Sequence, residues 1–308
     1  MTISELLATV RRVEVRTNRL VNDMMVGAYL SHFKGRGMDF EELREYIPGD
    51  EVRDIDWNVT YRMGRPFVKR YREERELALV LALDVSASSA FGSLRRTKRE
   101  FAAEVAGTLA VSAARNSDKV GLLLFSDQVE LYLPPRKGRR HILRLIREML
   151  FFKPKHTGTN IPAGLAFLNH VLHRRSIVFL LTDFLHSFGG KQGVGNQQGI
   201  GRDALQEVGL TNARHDLVCL HLHDPRESIL PPAGLLTVED AETGELVELD
   251  SSRGAVRYKV AATNAERLAE LDRALRRAGV DTLRFSTAED FAQTLQRFFE
   301  TRRGRRRG

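Results

Sequence analysis

One cysteine among 308 residues excludes an internal disulfide framework. Cys219 sits in an apolar run and reads as a small buried hydrophobe. Long hydrophobic runs are missing as well. The longest uninterrupted one, Leu77 to Leu83, falls far short of the ~20 residues that cross a bilayer. Glu5, Arg11, Arg12, Glu14, Arg16 and Asp23 break up the first thirty residues, so a secretory leader is not expected there. No G-x-x-x-x-G-K-[ST] loop occurs, so the chain is not expected to be a P-loop ATPase. His170 with His173 and His221 with His223 have no third ligand at zinc-like spacing, which argues against a zinc centre. What is present, 42% apolar and 29% charged side chains, suits a globular protein of about two domains with a sizeable core. The expected compartment is the cytoplasm.

The formal charge of +8 is unevenly spread. Residues 1–77 carry 14 basic and 14 acidic side chains and are neutral. Five of the excess charges are Arg302, Arg303, Arg305, Arg306 and Arg307, and a second basic stretch, Arg136 to Lys155, contains only Glu148 as an acid. Neither cluster interleaves aromatic residues as single-strand binders do, so a solvated tail and a charged helix face are favoured over a nucleic-acid site.

Residues 3–26 have helical apolar spacing, while glycines at 27, 35, 37, 49 and 64 punctuate an irregular segment whose last short strand is Pro66–Tyr71. This gives a small N-terminal α+β subdomain, residues 1–76. From Leu77 onward, buried strands alternate with helices. Strands are expected at Leu77–Asp84, Lys119–Phe125, Gln128–Leu133, Ser176–Thr182, Asp216–Leu222 and Asp281–Phe285. Helices are expected at Thr97–Arg115, His141–Leu150, Pro162–Leu172, Asn264–Ala278 and Glu289–Phe299. A hairpin is inserted at 235–250, and the basic tail occupies 301–308. Near-continuous apolar strands imply a mostly parallel sheet covered on both faces. The tight Ser126-Asp127 turn makes the third strand antiparallel, because a parallel crossover needs a dozen residues or more. The fold class is therefore α/β, a doubly wound six-stranded sheet over 77–300. Residues 187–201, with six glycines and three glutamines, read as a flexible excursion, and the glycines there do not keep G-x-G-x-x-G spacing.

Three pieces of sequence carry chemistry: Asp84-Val-Ser86-Ala-Ser88 after the first strand, Thr159 before a helix, and Asp183 after the fourth strand. In strand order 3-2-1-4-5-6 the first and fourth strands are neighbours, and ligands bind outside their carboxyl ends. Asp84 and Asp183 should therefore meet. Ser86, Ser88 and Thr159 offer neutral hydroxyls to a hard dication, while the two aspartates hold waters and supply charge. Such a metal retains appetite for an anionic oxygen, which a carboxylate of another protein can provide.

Asp84-Val-Ser-Ala-Ser88, Thr159 and Asp183 resemble the metal-ion-dependent adhesion site of von Willebrand factor A domains. That resemblance implies Mg2+, or else Mn2+ or Ca2+, and ligation of a partner's Asp or Glu. A wider resemblance rests on Gly35-Arg-Gly37, Leu43-Arg-Glu-Tyr46, Pro48-Gly-Asp50, Arg53-Asp54-Ile-Asp56-Trp57, Phe67-Val-Lys69 and Asp224-Pro-Arg-Glu227. These are similar to a bacterial family known as domain of unknown function 58. Its members resemble von Willebrand A proteins encoded beside MoxR-type AAA+ ATPases. The family resemblance implies a non-enzymatic partner or adaptor of such an ATPase, acting in maturation of client proteins. Arg53, Asp54 and Asp56 are expected to form a charge-paired network that pins the small subdomain to the larger one.

Two rival functions remain. A metal-dependent hydrolase or phosphoryl-transfer enzyme could use Asp84 as nucleophile. Against it, Ser86 stands where the aspartyl-phosphatase pattern has its general acid, and no lysine follows the fourth strand. Nucleic-acid binding through the basic tail is the second rival.

Overall fold

In the computed structural model, the described residues are 37–74, 78–93, 96–185, 202–239, 244 and 246–305. The helices expected within 3–26 and the Gly-rich stretch 187–201 lie outside them, save that the latter's flanks are described. Two compact units are distinguished, the smaller covering residues 33–77 and the larger containing the described residues from Ala78 onward.

In the smaller unit β1 (Gly37–Glu45) pairs antiparallel with β2 (Phe67–Glu74), with a register shift between Phe40 and Glu42. Between them lie a 3-10 turn (Val52–Asp54) and the short helix α1 (Trp57–Met63). Asp56 starts α1 by accepting from the backbone N–H groups of Asn58 and Val59. Gly64, at φ +69°, ends it in the left-handed conformation that favours glycine. The segment is thus more regular than its glycine punctuation suggests. Among the side chains described here, Val68 alone is a buried apolar residue.

The larger unit is built on β3 (Ala78–Asp84), β4 (Lys119–Phe125), β5 (Val129–Arg136), β6 (Ile177–Thr182), β7 (Asp216–His223) and β10 (Asp281–Ser286). Their order is β10-β7-β6-β3-β4-β5, parallel throughout except for β5. The connection from β4 to β5 takes three residues, closed by a Ser126 N–H donating to the Gln128 carbonyl. The helices are α2 (Lys98–Arg115), α3 (Arg139–Phe151), α4 (Ile161–Val171), α5 (Arg202–Arg214), the one-turn α6 (Pro225–Ser228), α7 (Gly254–Arg277) and α8 (Phe291–Arg305). A separate antiparallel pair, β8 (Leu235–Glu239) and β9 (Leu246–Asp250), forms the inserted hairpin.

Every residue of β3 from Leu79 to Asp84 is buried, as is all of β6, because helices cover both faces. Helix α2 starts with a reciprocal capping box between Thr97 and Glu100 and lays Phe101, Val105 and Leu109 into the core. Strand β5 runs three residues past the expected Leu133 and β2 three past Tyr71, and two helix boundaries differ more. Helix α7 starts at Gly254, ten residues before Asn264, and α8 runs on to Arg305 through part of the expected tail. Arg302 is no solvated tail residue: its guanidinium bridges Asp216 and Asp281 and is largely buried. The second basic stretch behaves as expected, with Ile142, Leu145, Ile146 and Met149 of α3 buried and Arg139, Arg140, Arg144 and Arg147 exposed.

Candidate metal-ion site at the carboxyl ends of β3 and β6

The chain leaves β3 for β4 and β5 on one side, then returns with β6 on the other. This reversal opens a crevice at the carboxyl ends of β3 and β6. Leu83 pairs with Leu181, so the next residues, Asp84 and Thr182, come level. The Thr182 hydroxyl donates to Asp84 Oδ2 at 2.6 Å, and the Ser86 N–H donates to Oδ1 at 2.9 Å. Asp183 follows immediately. Asp84 is 4% exposed and Asp183 5%.

Beyond Asp84 the chain turns through a 3-10 segment, Ala87–Ala90, that buries Ser86 and Ser88 with their hydroxyl oxygens 3.1 Å apart. Three backbone hydrogen bonds fix the surrounding loops. Val85 donates to Phe125, Ala87 to Thr157, and Asn160 to Ser126, all within 2.8–2.9 Å. They bring the 157–160 loop beside the serines. Thr159 is half-buried in that loop, and Asn160 caps α4 by accepting from the Ala163 N–H. Helix α4 comes close because Gly164 has no side chain; a Cβ there would lie 3.1 Å from the Phe125 ring.

Lys98, missed by the sequence reading, stands in the same small cavity as Asp84, Thr182 and Asp183. It is 2% exposed. Its ammonium reaches Asp183 Oδ2 at 2.5 Å and also the carboxylate of Glu227. A signal was available: Lys98 falls on the stripe of α2 shared with Ala102, Val105 and Leu109, which the same reading buries. Glu227 reaches back to the Asp224 N–H at 3.0 Å, completing a capping box on α6. Asp224, fully buried, accepts from the Ser93 N–H and hydroxyl and from the Thr287 hydroxyl.

The two aspartates titrate apart. Burial, and then the charge of Asp183, push the Asp84 carboxyl up to about 7. Burial acts upward on Asp183 too, but the Lys98 charge and hydrogen bond outweigh it and hold that group below the usual carboxylate range. Lys98 itself is kept protonated, its two carboxylates overcoming the burial that opposes its charge.

The donor set fits a small hard dication. Adjacent oxygens of an octahedron with ~2.0–2.1 Å bonds lie about 2.9 Å apart, close to the separation of the two serine hydroxyls. Asp84, buried against a second carboxylate, lacks a positive charge of its own. Ser86, Ser88 and Thr159 are the residues that would hold the metal, with Asp84 and Asp183 behind them.

The expected network around Arg53 and Asp54 is corrected. Both residues are exposed, as is Trp57 at 65%. Among the described residues of the smaller unit, ion pairs join Arg44 to Asp50, Lys69 to Asp56 and, at the surface, Arg65 to Glu45.

The model of the family "Protein of unknown function DUF58" matches residues 42–270. The chain belongs to this family. An uncharacterized protein of Mycobacterium tuberculosis, Rv1480, is 27% identical over 301 residues, covering 97% of this chain and 90% of that one. Among solved structures, the conserved hypothetical protein BatB of Bacteroides thetaiotaomicron is 15% identical, with TM-score 0.45, covering 73% of this chain and 98% of that one. An aerotolerance-related membrane protein of Bacteroides fragilis is also 15% identical, with TM-score 0.46 and coverages of 74% and 99%. Neither likeness carries a functional argument for this DUF58 chain. The cytoplasmic expectation is withdrawn; the second of these neighbours is named as a membrane protein. The physical reason is simple. Among the described residues no helix is long and apolar enough to cross a membrane, and that does not locate a protein.

Proposed function

We propose that this DUF58 chain is a non-enzymatic, Mg2+-dependent protein-binding module of von Willebrand factor A type, and a partner of a MoxR-type AAA+ ATPase or its client. One observation carries the reading: Asp84 and Asp183, distant in sequence, meet at the β3–β6 switch point beside two buried hydroxyls 3.1 Å apart. When bound, Mg2+ supplies an electrophilic position that an acidic side chain of the partner can fill. The chain's own residues do the rest. Thr182 and the Ser86 N–H hold Asp84 in place, while Leu185 donates its N–H to Asp183. Carboxylates so fixed can orient water and supply charge without having to reorganise. The uncharged hydroxyls keep the inner ligand charge low, so the anion of the partner adds most of the affinity.

Calorimetric titration of Mg2+ into the pure protein, followed by binding to the ATPase with and without chelator, tests this. The Ser86→Ala/Ser88→Ala double variant and Asp84→Ala should lose metal-dependent binding while staying folded. Unchanged Mg2+ and partner affinity in the double variant would reduce these serines to turn caps.

Lys98 supports a second reading, phosphoryl transfer with Asp84 as nucleophile, because it brings to the cavity an ammonium that the fourth strand itself does not provide. Its occupation by both Asp183 and Glu227 counts against that role. Phosphatase turnover that disappears in Asp84→Asn would favour it.

A further inference from the structure

Lys98 is no metal ligand, yet it is the one cation lining the cavity that also touches a carboxylate of the candidate site. We propose that Lys98 is a built-in counter-cation that sets how tightly the site takes a divalent metal, resting on Asp183 and held back by Glu227; this rests on the metal-site reading above.

The charge arithmetic supports it. Counting only Lys98 and the carboxylates, Asp84, Asp183 and Glu227 contribute three formal negative charges and Lys98 one positive, leaving two for a dication; Arg99 in the cavity wall and Arg267, whose charge acts on Asp183 and Glu227, are the same with or without Lys98. Without the ammonium, the dication would meet three. Oxygen sites for divalent cations are tuned by this count of ligand charge, and burial leaves the interaction poorly screened by salt.

Lys98 cannot swing away as a surface lysine does. It is the first residue of the 18-residue α2, its stem is buried, and Thr97 with Glu100 caps the turn from which it projects. Glu227 is equally fixed, through the Asp224 N–H, and Asp224 through Ser93 and Thr287. The ladder thus runs from the end of β7 to Asp183. Its consequence for function is selectivity. Asp183 shares the one ammonium with Glu227, so a bound metal meets Asp84 as the carboxylate with no cation on it and Asp183 with its charge partly offset. A partner's carboxylate then gains more from binding than it would at a site with two free aspartates.

The competing account makes Lys98 a strut that merely positions Asp183. The two accounts predict opposite signs. Mg2+ affinity is to be measured by calorimetry on the full chain at one fixed pH, with Mn2+ paramagnetic resonance and Mg2+ competition as a second readout. Lys98→Met should bind Mg2+ at least tenfold more tightly than wild type. Glu227→Gln, which leaves Lys98 to Asp183 alone and removes one negative charge, should bind it severalfold more weakly. Adding Ser86→Ala/Ser88→Ala should abolish the gain in Lys98→Met, assigning it to this site. If wild type binds Mg2+ and Lys98→Met binds equally or less tightly, the counter-cation idea is overturned while the metal site stands. If neither binds, the metal reading fails and the proposal falls with it. Should Lys98→Met not fold, Glu227→Gln decides: weaker binding supports the proposal, and equal or tighter binding overturns it.

Discussion

Asp50 and Asp56 in the smaller unit and Asp84 in the larger one are the same side chain in opposite circumstances. Asp50 lies on the guanidinium of Arg44 in a two-pronged contact, and Asp56 accepts two helix N–H groups and an ammonium. Each remains partly open to water. Asp84 is closed off from solvent, hydrogen-bonded only to neutral donors, and faces another carboxylate. The difference separates aspartates that organise local backbone from one that is buried with no cation beside it, as the proposed metal site requires. It is testable, and its largest expected consequence is at Lys98.

Replacing Lys98 by Met leaves Asp183 and Glu227 in the interior without their cation. Breaking a buried pair by removing one partner typically costs about 3–5 kcal/mol. Metal-free Lys98→Met should unfold at correspondingly lower urea concentration, and saturating Mg2+ should recover part of the loss. No loss in the metal-free state would mean that the cavity admits enough water to erase the contrast between the two regions.

The pH dependence comes next. The Asp84 carboxyl is raised from 3.8 to about 7 in the folded state, so between those values the native protein holds a proton that the unfolded chain has released. Stability from this group is therefore present at low pH and falls as pH rises from about 4 to about 7, by at most a few kcal/mol. Asp183 has the opposite sign: its pKa is lowered, so its contribution is lost only as pH falls below the ordinary carboxylate range. Burial pushes the His215, His221 and His223 imidazoles down, which gives the opposite slope over the same window. Chemical denaturation of metal-free wild type and Asp84→Asn across pH 4–7 is therefore compared as a difference, and the variant should gain stability relative to wild type as pH rises. A difference between the two proteins that does not change with pH would place Asp84 with the satisfied aspartates.

Much of this contrast was legible before any coordinates. The near-continuous apolar runs of β3 and β6, each ending beside an acid, led to the switch point and to the meeting of Asp84 with Asp183. The order β10-β7-β6-β3-β4-β5 is the one those runs implied. What stayed hidden has identifiable causes. Lys98 shares its stripe with buried residues, but a charged side chain opening a helix ordinarily faces water, and its two carboxylate partners lie 85 and 129 positions away. Strand β1 carries a register shift between Phe40 and Glu42 that interrupts its alternation. Helix α7 begins at Gly254 without a side-chain cap, so no start signal marked it. The ion pairs of Arg302 join residues far apart in sequence, which composition cannot reveal.

The serines test the contrast from the ligand's side. A ligand at a hundredfold excess over its dissociation constant stabilises the state it binds by ~2.7 kcal/mol. Wild type should show that increment with Mg2+ in a thermal melt, and Ser86→Ala/Ser88→Ala should not. Without Mg2+ the double variant should lose only a small part of its stability: the two hydroxyls face each other and leave together, Asp84 keeps the Thr182 hydroxyl and the Ser86 N–H, and Asp183 keeps Lys98.

The smallest effect belongs to the smaller unit. Asp50→Asn removes the charge that Arg44 grips but keeps an oxygen able to accept from the Ile47 N–H, which now donates to the carboxylate at 3.0 Å. Both side chains of the ion pair are partly exposed, at 30% and 20%, so water can replace much of what is lost. The cost should be at most about 1 kcal/mol. Because the chain has two compact units, a single global midpoint could miss so small a change, so amide exchange at residues 46–50 is the better measurement. Protection there should fall while the Mg2+ response stays at the wild-type level. An altered Mg2+ affinity in Asp50→Asn would show that the two groups of aspartates are energetically linked, and the division drawn between them would have to be given up.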